Sequence, residues 1–295
     1  MIDSFIRYVR FEKRYSDHTI TAYEKDLIQL EEFASNELEK DTIQELTFKD
    51  VRSWIFFLSE NEYTNKSINR KIATIKSYYK FLLSREVIST NPTERIQPLK
   101  TEKKLPVFLK ESEITNLLDN ISFDESSDFE NSRDKVIFEL LYGTGIRLSE
   151  LTNLKMKDVS FYGNTIKVLG KRNKERLIPL NANLVNTIRE YLSKRKILES
   201  INDEECLLLT ASGNQVYPML VQRVIKKYIM KVSSISKKSP HVLRHTFATH
   251  LLNKGADLNS VKDLLGHSSL AATQVYTHNT MSKLKAVFDQ AHPKA

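Results

Sequence analysis

The chain has 295 residues, of which 40% are hydrophobic and 28% charged, with a formal net charge of +8 and a single cysteine, Cys206. That is enough apolar material for one large or two ordinary cores and excludes disordered and fibrous classes; one thiol also excludes an internal disulfide framework and a cysteine-based zinc site. The basic excess favours polyanionic partners only mildly, but its position is informative: residues 1–100 carry 16 basic and 16 acidic side chains, so the whole +8 lies beyond residue 100.

In chain order, the opening MIDSFIRYVRFEKRYSD meets a charge every few positions. It has no signal-peptide core, and no long apolar run follows anywhere, so a cytoplasmic protein without a membrane partner is expected. Phe5 and Val9, then Tyr23, Leu27 and Leu30, stand at helical spacing, with Ser16 or Asp17 available as a cap. Trp54, Phe56 and Phe57 are expected in the core. Over 66–83, Ile68, Ile72, Ile75, Tyr79 and Leu82 share one face, while Lys66, Arg70, Ser77 and Lys80 share the other. Taken alone, that basic stripe reads as a solvated helix face as readily as a helix laid along a phosphate backbone. Pro92, Pro98 and Pro106 then interrupt a stretch with no helical periodicity, which reads as an extended linker.

Helical signals return at Glu111–Leu118, followed by an acidic loop at 119–134 and the apolar helix VIFELLYGTG. NTIKVLG, KRNKER and LIPL alternate apolar and polar residues around a polar turn, as in a hairpin or a small three-stranded sheet. Helices resume from about Ala182 to the end. The expected fold is mainly α with a small β-sheet, in two domains: a helical domain at 1–86, a linker at 87–106, and an α+β domain at 107–295.

Four separated segments carry chemistry: GTGIRLSEL (143–151), GKRNKER (170–176), HVLRHTFATHLL (241–252) and LLGHSSLAATQVYTH (264–278). A lone His-x-x-Arg means little. His241 and Arg244, then His267, then Tyr276, in that order and at that spacing, are jointly constrained. These segments resemble the tyrosine recombinase (phage integrase) family, most closely the bacterial Xer recombinases, and the resemblance covers nearly the whole chain. One departure is Arg172, which stands where the hairpin GKGNKER has a glycine.

The resemblance implies an N-terminal core-binding, SAM-like domain and a C-terminal catalytic domain. It also implies a site made of Arg147, Lys171, His241, Arg244, His267 and the nucleophile Tyr276, with Glu150 in support. Its substrate is double-stranded DNA carrying a specific recombination site, and no cofactor or metal is required. The partners implied are a homo- or hetero-tetramer with the same or a related recombinase and an FtsK-type DNA translocase, acting on chromosome dimers at a dif-like site. Leu284, Val287 and Phe288 form a terminal helical pattern that either packs on a neighbouring protomer or docks on its own domain.

The chemistry agrees with these residue types. Cutting a strand while conserving its bond energy calls for a protein nucleophile that forms its own phosphodiester, and a tyrosine hydroxyl can serve. Its ordinary pKa is near 10, so it needs help losing a proton. Charge building on the nonbridging oxygens suits fixed guanidinium forks, here Arg147 and Arg244, with His267 a further donor. A lysine on a hairpin, Lys171 or its neighbour Lys174, can protonate the leaving 5′ oxygen. If a helix starts at Pro240, His241 and Arg244 share a face near its positive end.

His241, His245 and His250 lack the glutamate and acidic neighbours of a metal site; His245 and His250 are expected in packing or phosphate contacts. Lys66, Arg70, Lys80, Arg172, Lys174 and Arg223 are the expected DNA contacts, and most of the basic side chains between 166 and 240 should join them. Two rivals use the same fold: a type IB topoisomerase-like nicking-closing enzyme, and a DNA-binding protein without catalysis.

Overall fold

The computed structural model describes residues 1–102, 107–120, 128–170 and 175–266. The chain divides into two units, Met1–Lys104 and Leu105–Ala295, each with its own apolar core.

In the first unit, α1 (Ile2–Arg7) runs into a π-type turn (Tyr8–Glu12) and is followed by α2 (Asp17–Leu38), α3 (Phe48–Glu60) and α4 (Asn65–Ser84). The last three helices start on hydroxyl caps: Ser16, Thr47 and Thr64 accept the backbone N–H of Thr19, Asp50 and Ser67, satisfying donors that a helix start leaves open. Ile68, Ile72, Ile75, Tyr79 and Leu82 are all buried, with Phe5, Leu27, Leu30 and Trp54. Phe56 corrects the expected aromatic cluster, because it is 64% exposed. Two residues along a helix is a turn of about 200°, so Trp54 and Phe56 cannot both face inward. Phe57 is half-buried against Phe33, with ring centroids 5.0 Å apart.

Residues 87–102 form neither helix nor strand. They are nonetheless anchored. Ile96 is buried, Ile88 and Leu99 pack on the first core, and the Asn69 side chain donates to the Leu99 carbonyl (2.8 Å) and accepts its N–H (2.7 Å).

The second unit contains α5 (Glu111–Asn120), α6 (Asp128–Thr144), α7 (Leu148–Thr152), β1 (Val159–Ser160), β2 (Thr165–Leu169), β3 (Glu175–Pro179), α8 (Ala182–Arg195), α9 (Pro218–Val232), α10 (Pro240–Asn253) and α11 (Leu258–Leu265). The acidic stretch expected as a loop at 119–134 is helical at both ends, since α5 reaches Asn120 and α6 begins at Asp128. Acidic residues in a first turn complement the positive end of a helix, and charge alone did not reveal that. From Val136 to Thr144, α6 is buried on nearly every side, as expected of a central helix.

The three strands form an antiparallel sheet in the order β1-β2-β3, with Ile166 opposite Ile178, Val168 opposite Arg176 and Leu169 opposite Glu175. Alternation sends Ile166, Val168, Arg176 and Ile178 inward. The helices expected from about Ala182 onward are interrupted at 196–217. There Leu207, Leu208, Leu209 and Val216 are buried around a turn at Gly213, and isolated bridges join Lys155 to Cys206 and Leu209 to Gln215.

Pro240 is the first residue of α10, where its missing N–H costs no helical bond. Helix α10 also holds the start of this unit: Thr246 Oγ1 accepts the Leu109 N–H at 3.0 Å, and His250 Nε2 lies 2.9 Å from the Leu109 carbonyl. A carbonyl only accepts, so Nε2 carries the hydrogen and Nδ1 takes the Tyr142 hydroxyl at 3.1 Å. Among the described residues, no helix is long and apolar enough to cross a membrane.

Candidate active site

Gly145 ends α6 with φ +61°, a left-handed turn natural to glycine. It delivers Arg147 to the position just before α7. Glu150, in the first turn of α7, reaches back and accepts the Arg147 backbone N–H at 2.7 Å and Nη1 at 2.8 Å. The local sequence R-x-x-E therefore fixes both members of the pair by helix geometry alone.

Two more guanidiniums converge there from distant parts of the chain. Arg176, on the inward face of β3, spans the Glu150 carboxylate with Nη1 and Nη2 at 2.9 and 2.8 Å, and its Nε donates to Leu264 O at 2.9 Å. Arg244, one turn into α10, donates to Gly145 O and to Leu265 O, the latter at 2.6 Å. Arg147 Nη2 donates to Gly266 O at 3.0 Å. Three successive carbonyls at the end of α11, Leu264, Leu265 and Gly266, are thus each taken by a different arginine. Cations there complement the negative end of a helix.

Three guanidiniums around one carboxylate leave a local excess of two positive charges. Burial would raise the Glu150 carboxyl, but the Arg176 hydrogen bonds and charge, then the Arg147 N–H and guanidinium, hold it at about 2. Burial, then the neighbouring Arg147 charge, brings Arg244 down to about 10, still a cation at neutral pH. Arg147 is the more accessible of the two, its side chain one-third exposed. The arrangement can receive an anion with one exposed and one buried fork, both fixed in advance.

Of the expected site residues, the structure therefore brings together Arg147, Glu150 and Arg244. His241 is exposed on the first turn of α10, three residues before Arg244. Lys171, Arg172, Lys174, His267 and Tyr276 lie outside the described residues, as do Leu284, Val287 and Phe288. The described residues break off after Gly170, resume at Glu175, and end at Gly266, immediately before His267.

Among the expected DNA contacts, Lys66, Lys80 and Arg223 are exposed, and Arg223 lies over the Tyr217 ring at 5.7 Å. Arg70 is also exposed, but it pairs with the buried Asp26, which holds Lys71 Nζ and Thr74 Oγ1 as well, each at 2.9 Å. Its charge is already partnered within the fold. The expectation that most basic residues of 166–240 meet phosphate is corrected for two of them. Arg176 and Arg195 are interior, and Arg195 donates to the carbonyls of Glu204 and Cys206. His250 is a packing residue, and His245 sits edge-on to Phe108.

Arg176 is the residue that sequence reasoning missed, since it falls in the basic stretch expected to contact phosphate. Strand alternation held the signal: Arg176 is two residues from Ile178, so the inward face that takes the isoleucine takes the arginine too.

Residues 2–86 match the phage integrase N-terminal SAM-like domain, and residues 107–283 match the phage integrase family. A SAM-like helical unit followed by this catalytic unit is the build of a site-specific DNA recombinase, and that is the class of this protein. The tyrosine recombinase XerC of Chlorobaculum parvum is 38% identical over 317 residues, covering 100% of this chain and 94% of its own. The tyrosine recombinase XerC of Staphylococcus aureus is 39% identical over 294 residues, covering 99% and 96%. The chain belongs to the phage integrase family, the tyrosine recombinases, and is of the Xer type. In fold it also resembles the XerH site-specific recombinase bound to palindromic difH substrate, with a TM-score of 0.74 at 21% identity over 97% of this chain and 82% of that one.

Proposed function

We propose that this recombinase resolves chromosome dimers at a dif-like site, in the cytoplasm, by cutting and rejoining DNA through a 3′-phosphotyrosyl intermediate and a Holliday junction. The observation that carries the reading is the placement of Arg147 and Arg244 on the adjacent carbonyls Gly266 O and Leu265 O, one residue before His267. Two pre-set forks at one point are what a scissile phosphate requires, because donors fixed in advance need no reorganisation as charge develops.

In the proposed step, the Tyr276 oxygen attacks phosphorus. The new bond is tyrosine O–P and the bond broken is P–O5′. His241 assists removal of the phenolic proton, Arg147, Arg244 and His267 stabilise the nonbridging oxygens, and Lys171 protonates the departing 5′ oxygen. Attack by another strand's 5′ hydroxyl reverses the step, so no external energy source enters. Lys66, Lys80 and Arg223, with Arg172 and Lys174, supply phosphate contacts to the duplex; Arg70 joins them only to the extent that Asp26 releases it. Four protomers, identical or of two related kinds, form the working complex, with an FtsK-type translocase as its activator. The full-length curated relatives named tyrosine recombinase XerC support a Xer-type recombination reaction.

A suicide substrate, nicked so that the 5′-hydroxyl fragment diffuses away, tests the reading. Wild type should accumulate a covalent protein–DNA adduct and Tyr276→Phe none. An adduct that persists in Tyr276→Phe, or none with wild type on its recombination site, overturns it. Relaxation of supercoiled DNA lacking any specific site would favour the nicking-closing alternative.

A further inference from the structure

We propose that Arg176 is a positioning residue for strand cleavage: from β3 it locks the Glu150 carboxylate to the last turn of α11 and thereby fixes the Arg147 and Arg244 forks. The inference rests on the reading of those two arginines as the phosphate clamp.

Each bond of Arg176 goes to a group that sets another arginine. Glu150 Oε1, which receives Arg176 Nη1, also receives Arg147 Nη1; Oε2, which receives Arg176 Nη2, also receives the Arg147 backbone N–H. Leu264 O, which receives Arg176 Nε, precedes the Leu265 carbonyl held by Arg244. A continuous chain of bonds therefore runs Arg147, Glu150, Arg176, end of α11, Arg244. It is closed by Arg147 on Gly266 O.

The geometry requires a guanidinium. Two parallel donors meet both carboxylate oxygens while the third nitrogen takes a carbonyl, and the single ammonium point of a lysine cannot hold all three. Space is specified as well: a Cβ at Gly266 would lie 3.1 Å from Arg176 Nη1 and 3.3 Å from Cζ and Cδ. Arg176 itself is buried with all three guanidinium nitrogens already donating within the fold, so it acts through those partners. Without it, Glu150 would keep one cationic partner, Arg147, and be free to rotate onto it. That would draw the exposed fork away from the phosphate.

The test is single-turnover cleavage of nicked suicide DNA carrying either a normal phosphodiester or an uncharged methylphosphonate at the scissile position. A neutral centre has less need of a cationic clamp, so defects of the clamp shrink on it, whereas general defects of folding or DNA binding do not. Arg176→Gln should bind the site with Kd within about threefold of wild type and cleave the phosphodiester about a hundredfold more slowly, the scale of an active-site misplacement near 1 Å. On methylphosphonate it should recover to within about tenfold of wild type. Arg176→Lys should behave as Arg176→Gln.

Wild-type cleavage by Arg176→Gln, or an equal deficit on both substrates, overturns the proposal. Arg147→Ala runs alongside: if it shows no methylphosphonate recovery, the clamp reading falls; if it recovers and Arg176→Gln does not, only the role of Arg176 falls. Should Arg176→Gln not fold, Gly266→Ala presses on the same guanidinium. A weaker deficit relieved by methylphosphonate is then expected, and unchanged cleavage overturns the proposal.

Discussion

Glu150 is one negative charge that serves three purposes: it completes the start of α7, it orients Arg147, and it neutralises Arg176 in the interior. Removing one partner of a buried pair leaves the other charge unpaired, which costs about 3–5 kcal/mol. Glu150→Gln is therefore expected to destabilise the second unit by an amount of that order, read as a fall in the urea midpoint. The pH dependence follows from the same geometry. The carboxyl titrates near 4.5 when unfolded and at about 2 when folded, so the unfolded state binds the proton first as pH falls. The stabilisation is whole above about 4.5, declines below it and is gone near 2. Urea midpoints measured from pH 7 to pH 2 should show this acid decline in wild type and a shallower one in Glu150→Gln. Identical acid limbs would contradict the assignment. Burial of His250, opposed by its bond to Leu109 O, lowers its pKa; its contribution is complete above about 6.5 and weakens as pH falls below that value, a window distinct from that of Glu150.

At the scale of elements, the site depends on how α6, α7, α10 and α11 meet around Gly145. A Cβ there would lie 2.5 Å from Phe247 Cδ1 on α10 and 2.8 Å from Leu265 Cδ2 on α11, at a backbone φ of +61°. Gly145→Ala combines left-handed strain with overpacking, together about 2–5 kcal/mol. It should also displace the Gly145 and Leu265 carbonyls that hold Arg244. Cleavage should slow even under conditions where the variant is fully folded by circular dichroism; an unimpaired rate would mean that Arg244 is set by something else. In the first unit, Tyr78 is fully buried and its hydroxyl has no hydrogen-bond partner among the described residues. Burial, then the Glu31 charge, pushes its phenol well above the ordinary range. Tyr78→Phe removes an unpaid desolvation and should leave stability unchanged or raise it by up to about 1 kcal/mol, seen as an equal or higher Tm. A marked loss would show that the hydroxyl has a partner in solution.

At the scale of the molecule, the two units bury separate cores, one around Trp54 and the other around α6. Trp54→Ala should cost about 3–5 kcal/mol and increase hydrogen exchange throughout α2–α4, while the amides of α6 and α10 keep their protection. Loss of protection in both units would show that they unfold together. Much of this organisation was legible in the chain itself, because it rests on local rules. Apolar spacing along 68–82 defines a buried face wherever the helix packs, Pro240 marks a helix start, alternation around KRNKER marks strands, and the ordered motifs from Arg147 to Tyr276 mark the family. Charge was read less well. A sequence lists arginines but not what faces them, so Arg176 and Arg195 looked like surface for DNA although Glu150 and backbone carbonyls hold them inside, and nothing local marked the exposed Arg70 as the partner of the buried Asp26. The sequence alone determined which residue types were present and in what order. Only the tertiary structure decided which charges are spent inside and which converge, because Arg147, Arg176, Arg244 and the end of α11 lie far apart along the chain and meet only when β3, α7, α10 and α11 pack together.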